Sequence, residues 1–485
     1  MTPELVLALD LGTTSVRALL VEASGEVLAR AQRPLGTSFP WPGRVEQDPD
    51  EMWRCSVEVL REAVSRSGVD PRAIAGLGVV TQRATAHCWD GHTGEPLAPA
   101  ISWQDRRTAE RVRELRGVGI PINTLASATK FEWLVQNDPG VREAARTGRL
   151  RLGTPDAWIT AKLSGLAQHL TDPGNASCTA LFDLQTGDWA APILELFGVP
   201  AESLPSIVAT SRVVGVTTPE LLGQPIPIAA RAGDQQAATF AQGVHAAGEG
   251  KLTLGTSAML DLHTGDLPVA ADSGSYSLAL WELEAGERAY CREATVITAG
   301  AAVDWLVALG IGADAREVDR LAAQVVSSGG VVFVPALEGL GSPFFDERAT
   351  ALFAGLTRGS GRAELARAVL EGVAHRVVDL CEALEFESVS LRVDGGLAQS
   401  AVLLQAIADL AGCQVLRAAE IETTALGAAF LAGLATGVFA SPAECRARLG
   451  APARFEPGPS SAGRDAERER WRQALARVRQ DFPTG

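Results

Sequence analysis

Lysine is almost missing from this chain. Lys130, Lys162 and Lys251 stand against 40 arginines in 485 residues. With so strong a bias, the lack of a lysine at any one motif carries little information. The seven cysteines, at 55, 88, 178, 291, 381, 413 and 445, include no Cys-x-x-Cys pair and leave one odd. That pattern predicts buried free thiols in a reducing, cytoplasmic compartment. The six histidines form no HExxH motif and no cluster with metal-ligand spacing, so a zinc site made of protein ligands alone is not expected. Positive charge is in deficit, with 43 basic and 58 acidic residues and a net charge of −15. Long-range steering of nucleic acid is thereby excluded, while a local basic pocket for phosphate stays compatible. The apolar runs are short and broken by glycine or charge, so no membrane span is expected. The opening MTPELVLALD has neither a basic segment nor a small-residue cleavage site, unlike a signal peptide.

What is present suits a soluble globular protein, with 46% hydrophobic and 21% charged residues. A chain of 485 residues is too long for one core and predicts two domains and a tail. Strand and helix patterns alternate, which predicts an α/β class. Residues 5–9, 17–22 and 27–32 form an expected meander of strands. Residues 49–67 are an expected helix, with Trp53, Val57, Leu60 and Val64 on one face. Further helices are predicted at 104–115, 129–137, 154–163, 299–309, 363–384, 400–411 and 424–436. Strands are predicted at 74–80, 331–335 and 390–393. The segment 170–227 is rich in turns and is expected to be peripheral. Composition turns to alanine and glycine near 245–250, which places the domains at 1–246 and 247–440, with an extension at 441–485. The charged helix expected at 464–481 is predicted to be solvated.

Two stretches echo each other. LALDLGTTSVRALL and KLTLGTSAMLDL each run strand, Gly-Thr turn, strand, and each opens one half. Such a pair suggests a duplicated unit with a cleft between lobes, although two Gly-Thr turns alone leave chance open. Backbone N–H groups in a tight Gly/Thr turn can converge on phosphate oxygens, and threonine hydroxyls add donors. No Walker A sequence is involved, since no GKS or GKT occurs and a strand follows the turn. Asp10 ends the first strand beside the turn. A carboxylate there repels a nucleotide unless it holds Mg²⁺, which favours carboxylates combined with phosphate oxygens. Arg17 suits either a phosphate or an acid. Asp394-Gly395-Gly396 lies between a strand and a helix, where α/β ligands bind, although DG is also a plain turn signal. Asp234-Gln235 follows an apolar stretch and opens a small-residue helix. Asp234 is there either a helix cap or a general base that takes a hydroxyl proton during phosphoryl transfer.

Together these stretches resemble the FGGY family of carbohydrate kinases, and within it the glycerol kinases, along residues 5–440. The likeness is carried by LALDLGTTSVRA, FPWPGRVEQDPDEMW (39–53), VTQR (80–83), WDGHTGEPLAPAISWQDRRTAE (89–110), ATKFEWLVQN (128–137), AGDQQAA (232–238), GLGSPFFDERATALFAGLTRG (339–359), LRVDGG (391–396) and ETTALGAAFLAGLATG (422–437). The resemblance implies a two-lobed ribonuclease-H-like fold, shared with actin, hexokinase and the heat-shock chaperone ATPases. It implies ATP and Mg²⁺ in an interlobe cleft, a small polyol or sugar as substrate, and a homo-oligomer, dimer or tetramer. By position, Thr13, Thr14, Ser15 and Arg17 match the first phosphate hairpin and Thr256 the second. Gly300 and Gly396 match nucleotide-contacting glycines. Asp10 and Asp234 match the metal side, and Asp234 the catalytic base. Arg83, Trp103, Asp234 and Gln235 match polyol-contacting positions.

The departures from glycerol kinases lie in the substrate pocket. Ala84 stands where they carry Glu, Leu125 where they carry Tyr, and Met259 where they carry an aromatic. In the nucleotide site, Asp304 replaces Gln and Ser400 replaces Asn. A lost charged partner of a substrate hydroxyl costs roughly 1.5–3 kcal/mol. The expectation is therefore an ATP-dependent kinase acting on a hydroxyl, primary by expectation, of a polyol or sugar other than or larger than glycerol. A ketose or pentulose kinase of the same family is the alternative. A non-metabolic ATPase or a degenerate regulator of the same fold is the rival from another class.

Overall fold

The computed structural model describes residues 4–270, 274–420, 422–458 and 461–479. Its N-terminal lobe starts with a meander of β1 (Leu5–Leu11), β2 (Ser15–Glu22) and β3 (Val27–Pro34). Then come α1 (Pro49–Ser67), β4 (Ile74–Thr81), β5 (Ser211–Val216), β6 (Pro227–Gly233) and α2 (Asp234–Ala241). The strands form one sheet in the order β5-β6-β4-β1-β2-β3. β1, β4 and β6 run parallel, so Leu11, Thr81 and Gly233 end side by side.

The C-terminal lobe contains β7 (Gly250–Leu254), β8 (Ala258–Gly265), β9 (Tyr276–Glu282), β10 (Arg288–Val296) and α3 (Gly300–Ala308). It continues with α4 (Arg362–Ala383), β11 (Ser390–Asp394), α5 (Ala401–Ala411), β12 (Gln414–Arg417), α6 (Thr423–Thr436), β13 (Ala453–Phe455) and α7 (Ser461–Arg479). The second sheet has the order β9-β10-β8-β7-β11-β12-β13. Its β10-β8-β7-β11-β12-β13 repeats β3-β2-β1-β4-β6-β5 in order and in relative strand direction. The echo of the two Gly-Thr turns is thus the visible part of a duplicated lobe.

Strand periodicity explains where the polar groups go. In β1, Leu5, Leu7, Leu9 and Leu11 pack into the core that includes α1, whereas Val6 and Ala8 pack with α6. Asp10 continues that second face at the strand end, paired in register with Arg17 of β2. In the second sheet, Leu252, Leu254, Leu260 and Leu262 join the core of α4 and α5. The opposite face of the same strands carries Lys251, Thr253, Met259 and Asp261.

α6 follows the C-lobe sheet but packs in one core with Val6, Ala8, Ala230, Ala237 and Phe240 of the N-terminal lobe. The packing unit therefore crosses the sequence boundary set at 246. A Cβ on Gly427 would lie 2.0 Å from Ala237 O, so only glycine lets α6 cross α2 this closely.

Two expectations are corrected. The C-terminal helix is docked, not solvated. Trp471 is fully buried, stacks on His375 at 5.0 Å and donates to Asp379 at 3.1 Å. Arg468 pairs with Asp379 at 2.7 Å. The sequence shows α7 as charged because its buried face is partly ionic and meets the polar face of α4. The segment 170–227 is not peripheral throughout: Asp172, Asn175 and Thr210 are fully buried, and β5 is part of the first sheet. Its short elements hide that burial from any periodicity. Of the seven free cysteines, Cys178 alone is half-buried and the others are buried. No helix among the described residues is long and apolar enough to cross a membrane.

Candidate active site

The parallel ends of β1, β4 and β6 bring Asp10, the Thr81-Gln82-Arg83 corner and Asp234 together. Arg83 Nε lies 3.3 Å from Asp234 Oδ1, and its Nη1 lies 2.8 Å from Glu293 Oε2 across the cleft. Arg83 Nη2 reaches Met259 Sδ at 3.5 Å. One third of the Asp234 side chain remains open. Burial raises its carboxyl above the ordinary range, and the Arg83 charge and the Gln235 N–H pull it back. Greater basicity suits a group that must accept a proton.

Asp10 is almost fully buried, 3.4 Å from Arg17 Nη1. Burial lifts its carboxyl to about 7; Asp234 and Glu422 add to the rise and Arg17 opposes it. Arg17 also lies 3.4 Å from Glu422. Asp10 and Glu422 thus share one guanidinium, and Asp10 also senses the charge of Asp234, which is itself paired with Arg83. Among the described residues, no three His, Cys, Asp or Glu side chains form a cage for a metal ion by themselves. Mg²⁺ needs no such cage when phosphate oxygens and water complete its shell.

The first turn is tied down on its substrate side. Thr13 Oγ1 donates to Gln82 Oε1 and accepts from Trp103 Nε1, both at 3.0 Å. Gln47 Nε2 donates to Thr13 O at 2.7 Å. The hydroxyl of Thr13 and the indole N–H of Trp103 therefore hold each other, linking hairpin to pocket. Thr14 is exposed at the tip and Ser15 is buried behind it. In the second turn Thr256 is exposed. Gly300 N donates to Gly255 O at 2.9 Å, and a Cβ on Gly300 would lie 2.5 Å from that oxygen. Gly300 is thus a close-approach glycine that seats α3 on the turn. Space around Gly396 is open to 4 Å, as an incoming ligand requires. Asp394 accepts from Thr253 and Thr423, each at 2.7 Å, and so stitches the lobe together. Asp304 is exposed on α3. Ser400 caps α5, accepting from Leu403 N at 3.0 Å, and its hydroxyl donates to Asp319.

Ala84 takes a left-handed backbone, φ 59°. Its carbonyl accepts from Ser127 Oγ at 3.1 Å, which places it against the loop that carries Leu125. That loop is held from both ends. Asn123 Oδ1 accepts from the N–H groups of Leu125 and Ala126, at 2.9 and 3.1 Å. The buried Lys130 ammonium donates to Thr124 O and Leu125 O, at 3.0 and 2.7 Å.

Several residues here were not legible in sequence: Gln47, Gln82, Glu293, Lys251, Asp261 and Glu422. Gln82 sits inside the VTQR stretch and could have been found there. For Lys251 the signal was its rarity: two of the three lysines, 130 and 251, are fully buried.

Residues 5–241 match the N-terminal domain, and residues 250–436 the C-terminal domain, of the FGGY family of carbohydrate kinases. Glycerol kinase of Thermus brockianus is 45% identical, over 98% of each chain. Glycerol kinase of Aromatoleum aromaticum is 43% identical, also over 98% of each. The crystal structure of Plasmodium falciparum glycerol kinase with ADP superposes with a TM-score of 0.92 at 27% identity, covering 99% of both chains. The xylulose kinase of Rhodospirillum rubrum superposes with a TM-score of 0.83 at 25% identity, covering 97% of this chain and 98% of that one. A duplicated α/β lobe, a Gly-Thr turn in each half and a carboxylate at the strand ends thus accompany matches over nearly the whole length: the chain belongs to the FGGY family of carbohydrate kinases.

Proposed function

We propose that the protein transfers the γ-phosphoryl group of ATP to a primary hydroxyl of a small polyol, with glycerol as the reference acceptor. The observation that carries this reading is Asp234: a desolvated carboxylate at the C-terminal end of β6, part-open to the cleft and 3.3 Å from Arg83. Asp234 takes the hydroxyl proton as the oxygen attacks. Arg83 and Gln235 orient the acceptor, and Trp103 braces the pocket through Thr13. Thr14, Ser15, Arg17, Thr256 and Gly396 border the nucleotide, with Gly300, Asp304 and Ser400 behind it. Asp10 and Asp234 would hold Mg²⁺, which with ATP supplies the phosphoryl group and neutralises developing charge. The lobes exclude water and fix the geometry, which provides much of the rate.

A ketose acceptor is the second reading. It is favoured by Ala84, which offers no carboxylate to a substrate hydroxyl, and by the aliphatic Leu125 and Met259. The test is ADP release from protein and Mg·ATP with glycerol, tetritols, pentitols and ketoses. Turnover with a small acceptor is expected. ATP hydrolysis that ignores every acceptor and responds only to a protein partner would overturn the kinase reading.

A further inference from the structure

Lys251 lies on the cleft face of β7, fully buried, with Nζ 2.6 Å from Gln235 Oε1. Its register partner on β8 is Asp261, whose register partner on β10 is Glu293, the ion-pair partner of Arg83. Asp261 Oδ2 lies 3.6 Å from Lys251 Nζ and 3.3 Å from Thr239 Oγ1. Thr239 donates its hydroxyl hydrogen to Gln235 O at 2.8 Å, so this cluster touches both the side chain and the backbone of Gln235.

An ammonium has three donors and no acceptor. A side-chain amide that meets it must offer oxygen, so the Gln235 amide has one allowed orientation. Thr253 Oγ1 lies 3.1 Å from the same oxygen, but its one hydrogen goes to Asp394 Oδ1 at 2.7 Å, so the ammonium alone fixes the orientation. The NH₂ group has no partner among the described residues, and Gln235 is part-open to the cleft. Asp261 is the acid that faces the buried ammonium; burial raises its carboxyl to about 7, with Lys251 opposing the rise and Glu293 adding to it.

We propose that Lys251, seated on Asp261, is a positioning residue that locks Gln235 with its oxygen inward and its NH₂ toward the acceptor. This rests on the proposed kinase reading and adds the polarity of the pocket. With Ala84 contributing no acceptor group, the pocket offers two donors, Arg83 and Gln235, and one acceptor, Asp234. A second oxygen of the substrate is therefore read as a hydrogen-bond acceptor, a role that a hydroxyl and a carbonyl fill equally.

The test compares wild type, Gln235→Glu and the double variant Lys251→Met/Asp261→Leu, which removes both buried charges together. Acceptors are glycerol, dihydroxyacetone, 1,2-propanediol and 1,3-propanediol. Wild type is expected to accept glycerol and dihydroxyacetone and to lose about tenfold or more in kcat/KM on one propanediol. In both variants the glycerol KM is expected to rise about tenfold, the KM for ATP to stay unchanged, and the propanediol penalty to disappear. A merely structural pair would lower stability without erasing that penalty. A folded double variant that keeps the wild-type glycerol KM and penalty overturns the proposal. If the double variant fails to fold, an unchanged glycerol KM in Gln235→Glu overturns it. Wild-type protein inert toward all four acceptors overturns the kinase reading and this proposal with it.

Discussion

Arg83 stands between Asp234 of one lobe and Glu293 of the other, 3.3 Å from the first and 2.8 Å from the second. One guanidinium thus orients the proposed base and bridges the cleft. Its charge opposes the rise that burial imposes on Asp234. The net effect is a carboxyl raised above its ordinary range, with Arg83 tempering the rise.

Replacing Asp234 by Asn removes the proton acceptor but keeps size and hydrogen bonding. Phosphoryl transfer is expected to fall by about 10²–10⁴, while the affinity for ATP is retained. Initial rates with Mg·ATP and nucleotide titration together check this; near-wild-type turnover would remove Asp234 from the role of base.

Ala84→Glu introduces a carboxylate beside Arg83 in a backbone conformation that alanine already occupies. It adds a hydrogen-bond acceptor for a substrate hydroxyl. The ratio of kcat/KM for glycerol over dihydroxyacetone is expected to rise about ten- to a hundredfold, because a carbonyl cannot donate to the new group. The two acceptors assayed side by side give the ratio directly.

Trp471→Ala opens the interface between α7 and α4 and leaves Asp379 with fewer donors. The expected loss is about 3–5 kcal/mol, read as a shift in the urea midpoint. A shift near zero would mean that α7 contributes nothing to the fold, contrary to its burial.

His87 is buried, both its ring nitrogens are without a partner among the described residues, and it stacks on Trp158 at 5.3 Å. Burial pushes its pKa from 6.5 down to about 3. As pH falls through 6.5 the unfolded chain gains a proton on this histidine that the folded chain does not take up until about pH 3. Stability is therefore lost across that window. His87→Phe removes this effect, so its stability relative to wild type is expected to improve by about 2.5 kcal/mol between pH 7 and 4.5. Urea unfolding at pH 7, 5.5 and 4.5 measures the difference; a constant difference would show that His87 ionises equally in both states.

Much of the framework was legible without coordinates. The strands expected at 5–9, 17–22 and 27–32 fall within β1, β2 and β3, and the expected helix at 49–67 coincides with α1. The Gly-Thr echo anticipated the second lobe because a hairpin is set by neighbouring residues, whose chemistry is written in order. The ionic face of α7 was misread as a solvated surface, because charge in a sequence looks the same whether it meets water or the Asp379 carboxylate.

The sequence by itself determined the lobes, the two turns and the identity of the groups that meet at the strand ends. Local periodicity and short motifs carry that information. Only the tertiary structure decided which groups are paired. Strand register put Lys251, Asp261 and Glu293 in one row, although they are spread over more than forty residues of chain. Packing of the lobes then set that row against Arg83, Gln235 and Thr239. Burial then decided the chemistry: in water Lys251 would be an ordinary solvated charge, whereas in the dry cleft its ammonium must be satisfied, and Gln235 has to turn to satisfy it.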